Sequence, residues 1–154
     1  MKRIHMIGIL LLLIIIAGAY IMSPFSPMNK VSVNGETIKL TSGYIVKNSS
    51  GNSLTISNDT NEINIYPTKL TTDLEAAIAG YKEQFDDKYE IQTTKLNDAN
   101  LEIIKTEAVE IDGTKNETIT KYWFVKDGTT YNMQTMNAVD GTDDVVKNIV
   151  SSMN

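Results

Sequence analysis

The segment KYWFVKDGTTYNM, Lys121 to Met133, decides the fold. Two runs rich in aromatic and β-branched residues flank Asp127-Gly128, a pair suited to a two-residue turn in which both residues take positive φ. Such a turn fixes the register. Lys126 then faces Thr129, Val125 faces Thr130, Phe124 faces Tyr131 and Tyr122 faces Met133. Side chains alternate along a strand, so Tyr122, Phe124, Tyr131 and Met133 share one face, which reads as core. Trp123, the only tryptophan, shares the other face with Val125, Thr130, Asn132 and Gln134. That face is too polar to bury an indole unaided. The apolar stripe Val145, Ile149, Val150 and Met153 is long enough to do so. A C-terminal helix lying across Trp123 is therefore expected. In the alternative, Trp123 and Val125 form an exposed anchor for a partner.

Working outward, TDDVVKNIVSSM at the C-terminal end has helical spacing, with Thr142 placed to cap it and Asp143 and Asp144 suited to its positive end. Upstream, Tyr89 to Leu96 and Leu101 to Ile111 read as strands, separated by Asn97-Asp98-Ala99-Asn100. TTDLEAAIAGYKEQF carries apolar residues at Leu74, Ala77, Ile78, Tyr81 and Phe85, the period of a helix. Thr72 and Glu75 have the spacing of a capping box. Gly80 inside this helix costs about 1 kcal/mol relative to alanine, tolerable where a neighbour must approach closely. Leu54 to Ser57 and Glu62 to Tyr66 form a hairpin ended by Pro67. Thr41 to Asn52 reads as a polar loop, and Val31 to Leu40 as a hairpin turning at Asn34-Gly35. Strands, helix, strands, helix, without sustained β-α-β alternation, imply an α+β domain with a mostly antiparallel sheet flanked by helices.

The N-terminal end differs in kind. Met6 to Met22 carries no charge and follows Lys2 and Arg3. A basic flank before an apolar run marks an export signal or membrane anchor with its positive end in the cytoplasm. Residues 1–22 are thus an anchor or signal segment, with residues 4–22 in the membrane. Residues 23–30, with two prolines and two serines, form a linker, and residues 31–154 an extracytoplasmic domain. The apolar run continues past Ala17-Gly18-Ala19, which favours an uncleaved single-pass anchor in the cell membrane. Cleavage after Ala19 would give a secreted form.

Lys2 and Arg3 are two of the 14 basic residues, so the rest of the chain sets 12 lysines against all 19 acidic residues, a net −7. It holds no arginine and no histidine beyond His5, which argues against nucleic acid and against anionic headgroups. The chain has no cysteine. Thiol chemistry, histidine triads and ordinary zinc sites therefore lack their residues. No phosphate-binding glycine loop or hydrolase motif occurs. Asp140 to Asp144 lacks the spaced ligands of a calcium loop and reads as a helix start. No cofactor or metal is expected. Asn48, Asn58 and Asn116 head three Asn-X-Ser/Thr sequons in expected loops, where glycosylation is sterically open.

Leu40 to Ser50, Ile63 to Thr68, Asp73 to Phe85, the Lys121 to Met133 hairpin and Val145 to Met153 together resemble the PsbP-like superfamily. That group includes the photosystem II extrinsic protein PsbP, a Ran-binding nuclear-import factor and small exported prokaryotic proteins. Ser42 stands where the family commonly has a proline before its glycine-aromatic pair. The resemblance implies an α-β-α sandwich and a non-catalytic binding or assembly role, and it carries over no site residues. The expected function is a membrane-tethered extracytoplasmic binding module that is not an enzyme, its partner a protein or envelope component. A passive glycosylated envelope protein is the alternative, and a carboxylate-based polysaccharide hydrolase the outsider.

Overall fold

The computed structural model describes residues 30–68, 73–98, 101–111 and 117–154. The expected anchor, the linker before Lys30, Thr72 and Asn116 lie outside them. Among the described residues no helix is long and apolar enough to cross a membrane. The elements run β1 (Lys30–Val33), β2 (Glu36–Lys39), β3 (Ile45–Ser50), β4 (Ser53–Ser57), β5 (Glu62–Thr68), α1 (Leu74–Lys82), β6 (Tyr89–Asp98), β7 (Leu101–Glu110), β8 (Thr118–Lys126), β9 (Thr129–Met136) and α2 (Thr142–Ser152). β3 to β9 form one sheet in the order β3-β4-β5-β9-β8-β7-β6. Every pairing in it is antiparallel. β1 and β2 form a separate hairpin through Asn34 (φ 52°) and Gly35 (φ 87°).

The β8–β9 register is the one its turn dictates, Phe124 opposite Tyr131 and Tyr122 opposite Met133, with Asp127 and Gly128 both at positive φ. One sheet face carries Leu54, Ile56, Ile63, Ile65, Tyr122, Phe124, Tyr131 and Met133, all essentially closed to solvent. Val146, Ile149, Val150 and Met153, carried by α2 and its C-terminal end, join Val33 and Ile38 of the small hairpin to close this core. The last residue joins it: Asn154 exchanges two backbone hydrogen bonds with Thr37 of β2.

Two polar clamps fix the start of α2. Its N-cap is Gly141 at φ 85°, without a side-chain bond. Thr142 is not the cap expected from the sequence. It is the first helical residue, donating to the Val139 carbonyl at 2.6 Å and accepting from Asn61 Nδ2 at 3.0 Å. Asn61 Oδ1 in turn accepts from Thr135 at 2.6 Å. In the second clamp, the buried Tyr122 hydroxyl donates to Asp143 at 2.7 Å, and Lys105 lies 3.1 Å from Glu107 and 3.4 Å from Asp143.

Three local expectations are corrected. Thr41–Asn52 is not all loop, because Ile45–Ser50 forms edge strand β3, shifted in register between Val46 and Asn48. Its six residues are all exposed, so no burial alternation marked it. Pro67 does not end β5. It pairs with Tyr131, beyond Ile65 where β4 stops, so only one side of the strand has a neighbour to miss its N–H. The N-cap of α1 is Asp73, whose carboxylate accepts from the amides of Glu75 and Ala76 at 2.9 and 3.2 Å.

Candidate binding groove

The opposite sheet face belongs to α1. Trp123 is 4% exposed and packs with Ile78 and Tyr81 of α1 and Ile104 of β7. Its indole N–H donates to Thr106 Oγ1 at 2.9 Å. Tyr81 meets the indole at 5.4 Å between centroids, Phe85 meets Tyr81 edge-on at 4.9 Å, and Tyr89 meets Phe85 at 5.1 Å. Trp123 is therefore covered, but by α1 and not by the C-terminal helix. The stripe of α2 is taken up by the Tyr122/Phe124 face. The signal that could have assigned the covers correctly is the pair Tyr81 and Phe85, one helical turn apart and complementary to an indole. Val125, on the same face, is half-buried.

Helix α1 covers only part of this face. Its Ala76, Ala77 and Gly80 are small, and beside them runs a groove of about 660 Å³. β5 contributes Tyr66, Pro67 and Thr68, the α1 side adds Tyr81 and Gln84, and the sheet centre adds Lys121, Trp123 and Asn132. A Cβ on Gly80 would meet nothing within 4 Å, so no neighbour approaches closely enough to require glycine there. It borders open space.

The groove's chemistry is unusual for a sheet-helix junction. The Lys121 ammonium sits 4.1 Å from the Tyr81 ring centre and 5.4 Å from that of Trp123. Burial lowers the Lys121 pKa. Burial, and then the neighbouring Tyr66 phenol, push Tyr81 up to about 12, so it stays neutral at ordinary pH. Tyr81 Oη and Asn132 Oδ1 are buried without a hydrogen-bond partner. Each such atom costs about 1–3 kcal/mol if left unsatisfied.

A polar row extends the groove across the sheet. Lys121 pairs directly with Gln134, Gln134 with Asn64, Asn64 with Thr55, and Thr55 with Asn48. Directly paired residues share a face, so these five line up on the α1 side. Neighbouring polar side chains bond to one another: Thr55 to Asn64 at 2.8 Å, Tyr66 to Gln134 at 3.2 Å, and Asn132 to Thr68 at 3.0 Å. Sequence reasoning missed this row because it joins strands distant in the chain. Of the sequon residues, Asn48 lies exposed on β3, not in a loop, and Asn58 sits in the β4–β5 turn with its Oδ1 accepting from Thr60 and Asn61. Among the described residues no three histidine, cysteine or acidic side chains gather closely enough to hold a metal ion.

No family model matches the sequence, and no curated relative does. Solved structures do. A crystal structure from Bacteroides thetaiotaomicron is similar over 82% of this chain at 10% identity and a TM-score of 0.53, which shows a shared fold. The match covers 47% of that protein, so this chain spans about half its length. Cyanobacterial PsbP from Synechocystis is similar over 81% of this chain and 90% of its own, at 13% identity and a TM-score of 0.47.

Proposed function

We propose that this chain is a membrane-tethered, extracytoplasmic binding module of PsbP-like α-β-α architecture, non-catalytic, with the groove beside α1 as its binding site. The tether is residues 4–22. The observation that carries the reading is the groove itself, where a half-buried lysine and two unpartnered buried polar atoms meet three aromatic side chains. Binding sites commonly combine apolar walls with a few convergent polar groups. Among the described residues no carboxylate lines the groove, so polysaccharide hydrolysis would lack its acid pair there. Nuclear magnetic resonance of the isotopically labelled full chain tests the reading. Titration with mixed envelope extracts, both saccharide and peptide, is expected to shift the Trp123 indole N–H and the Gln84 side-chain amide. Shifts confined to other surfaces would overturn the groove as the site.

A further inference from the structure

Resting on that reading, we propose that the groove and the polar row beside it bind a neutral, hydroxyl-rich ligand, a chain of uncharged sugar units. The groove offers a mixed set of hydrogen-bonding groups. Lys121 only donates, Asn132 Oδ1 only accepts, and the neutral Tyr81 hydroxyl does either. A hydroxyl is donor and acceptor at once and satisfies all three. A carboxylate or phosphate would suit Lys121 and Tyr81 but would set acceptor against acceptor at Asn132.

The row continues the same logic. Gln134, Asn64, Thr55 and Asn48 are uncharged, partly or fully exposed, and carry both donors and acceptors. From Lys121 to Asn48 the row crosses four strand gaps, about 19 Å at the usual strand spacing, the reach of an oligomer and not of a single small molecule. Tyr66, half-buried in the groove wall, supplies aromatic surface for the apolar face of a sugar ring. Charge points the same way. Beyond Arg3 the chain is net −7, which repels a polyanion, and among the described residues Lys121 is the only cation lining the groove.

The test uses the full chain in a detergent without sugar headgroups, with the fluorescence of its single tryptophan as reporter. The probes are neutral oligomers from cellulose, chitin, starch and mannan, with oligogalacturonate as the charged counterpart. Saturable change with at least one neutral oligomer at millimolar or lower concentration is expected, with none from oligogalacturonate. Gln134→Ala and Asn64→Ala, both on the half-exposed row, should weaken binding roughly tenfold each, and Gly80→Leu, which fills the groove, should abolish it. Thermal melting confirms that the variants fold. No response to any neutral oligomer overturns the proposal. Binding of oligogalacturonate instead, blocked by Gly80→Leu, overturns the neutral-sugar assignment and keeps the groove. Neutral-sugar binding indifferent to Gly80→Leu overturns the groove itself.

Discussion

Trp123 shows how one residue is held by both its apolar body and its polar edge. The rings of Tyr81 and Phe85 and the side chain of Ile78 shield the body, while Thr106 takes the N–H. Thr106→Val keeps the shape but strands a buried indole N–H, and should lower stability by about 1–3 kcal/mol in urea unfolding. A loss well under that would mean water reaches the indole edge. Gly80 makes the opposite case. Its backbone is helical and nothing lies within 4 Å of where a Cβ would stand, so it has no packing reason to be glycine. Gly80→Ala should raise stability by about 1 kcal/mol in the same measurement, the propensity difference alone. A residue that weakens its helix without a packing return is what a site retained for access would contain.

The elements sort by how local their information is. The hairpins were legible because a two-residue turn sets register within a few residues, and both Asn34-Gly35 and Asp127-Gly128 adopt the positive φ their turns need. Both helices were legible from their stripes, although α1 stops at Lys82, short of Phe85 where its stripe ends. Which sheet face each helix covers was not legible. α1 and α2 carry apolar stripes that could each have met Trp123, and the choice depends on which faces the connections reach. Strand β3 was missed because it buries nothing. The groove was legible only as separate residues, since Tyr66, Tyr81, Lys121 and Asn132 come from four elements. Clamping of α2 rests on bonds that span the chain, and the 2.7 Å bond from Tyr122 to Asp143 ties the helix to a central strand. Tyr122→Phe removes that charge-assisted bond and should cost about 1–2 kcal/mol, moderated because Asp143 is partly exposed and keeps Lys105. Hydrogen exchange should accelerate in the first turn of α2 more than in α1. Equal acceleration in both helices would show that the bond does not act locally.

At the scale of the whole molecule, the two sheet faces are unequal. One is sealed by α2 and the small hairpin; the other is half covered by a short helix. Titration exposes the difference. Burial raises the Tyr81 pKa to about 12, and burial followed by the Asp143 bond raises that of Tyr122. An unfolded tyrosine ionises near about 10. Between that value and the raised native one, the unfolded chain has lost the proton and the native chain keeps it. The stability these groups contribute is then complete below about pH 10 and falls as pH rises, by up to about 1.4 kcal/mol per pH unit for each such group. Lys105 acts in the same direction above its ordinary range: burial lowers its pKa, but Glu107 and Asp143 outweigh that and raise it. Lys121, its pKa lowered by burial, acts oppositely. Its contribution rises with pH and is complete by about 10.4, the unfolded value, so it offsets nothing beyond that point. Urea midpoints of the full chain should therefore hold through neutral pH and drop as the solution passes about pH 10. Tyr81→Phe separates the groups. It deletes a buried hydroxyl that has no partner, so stability at neutral pH should be unchanged or slightly higher, and the alkaline slope should lessen by one proton. A slope equal to that of the parent would remove Tyr81 from the account. If the hydroxyl is there for a sugar, the same variant should bind neutral oligomers more weakly while folding at least as well. That split between stability and binding is the mark of a polar group kept for a ligand.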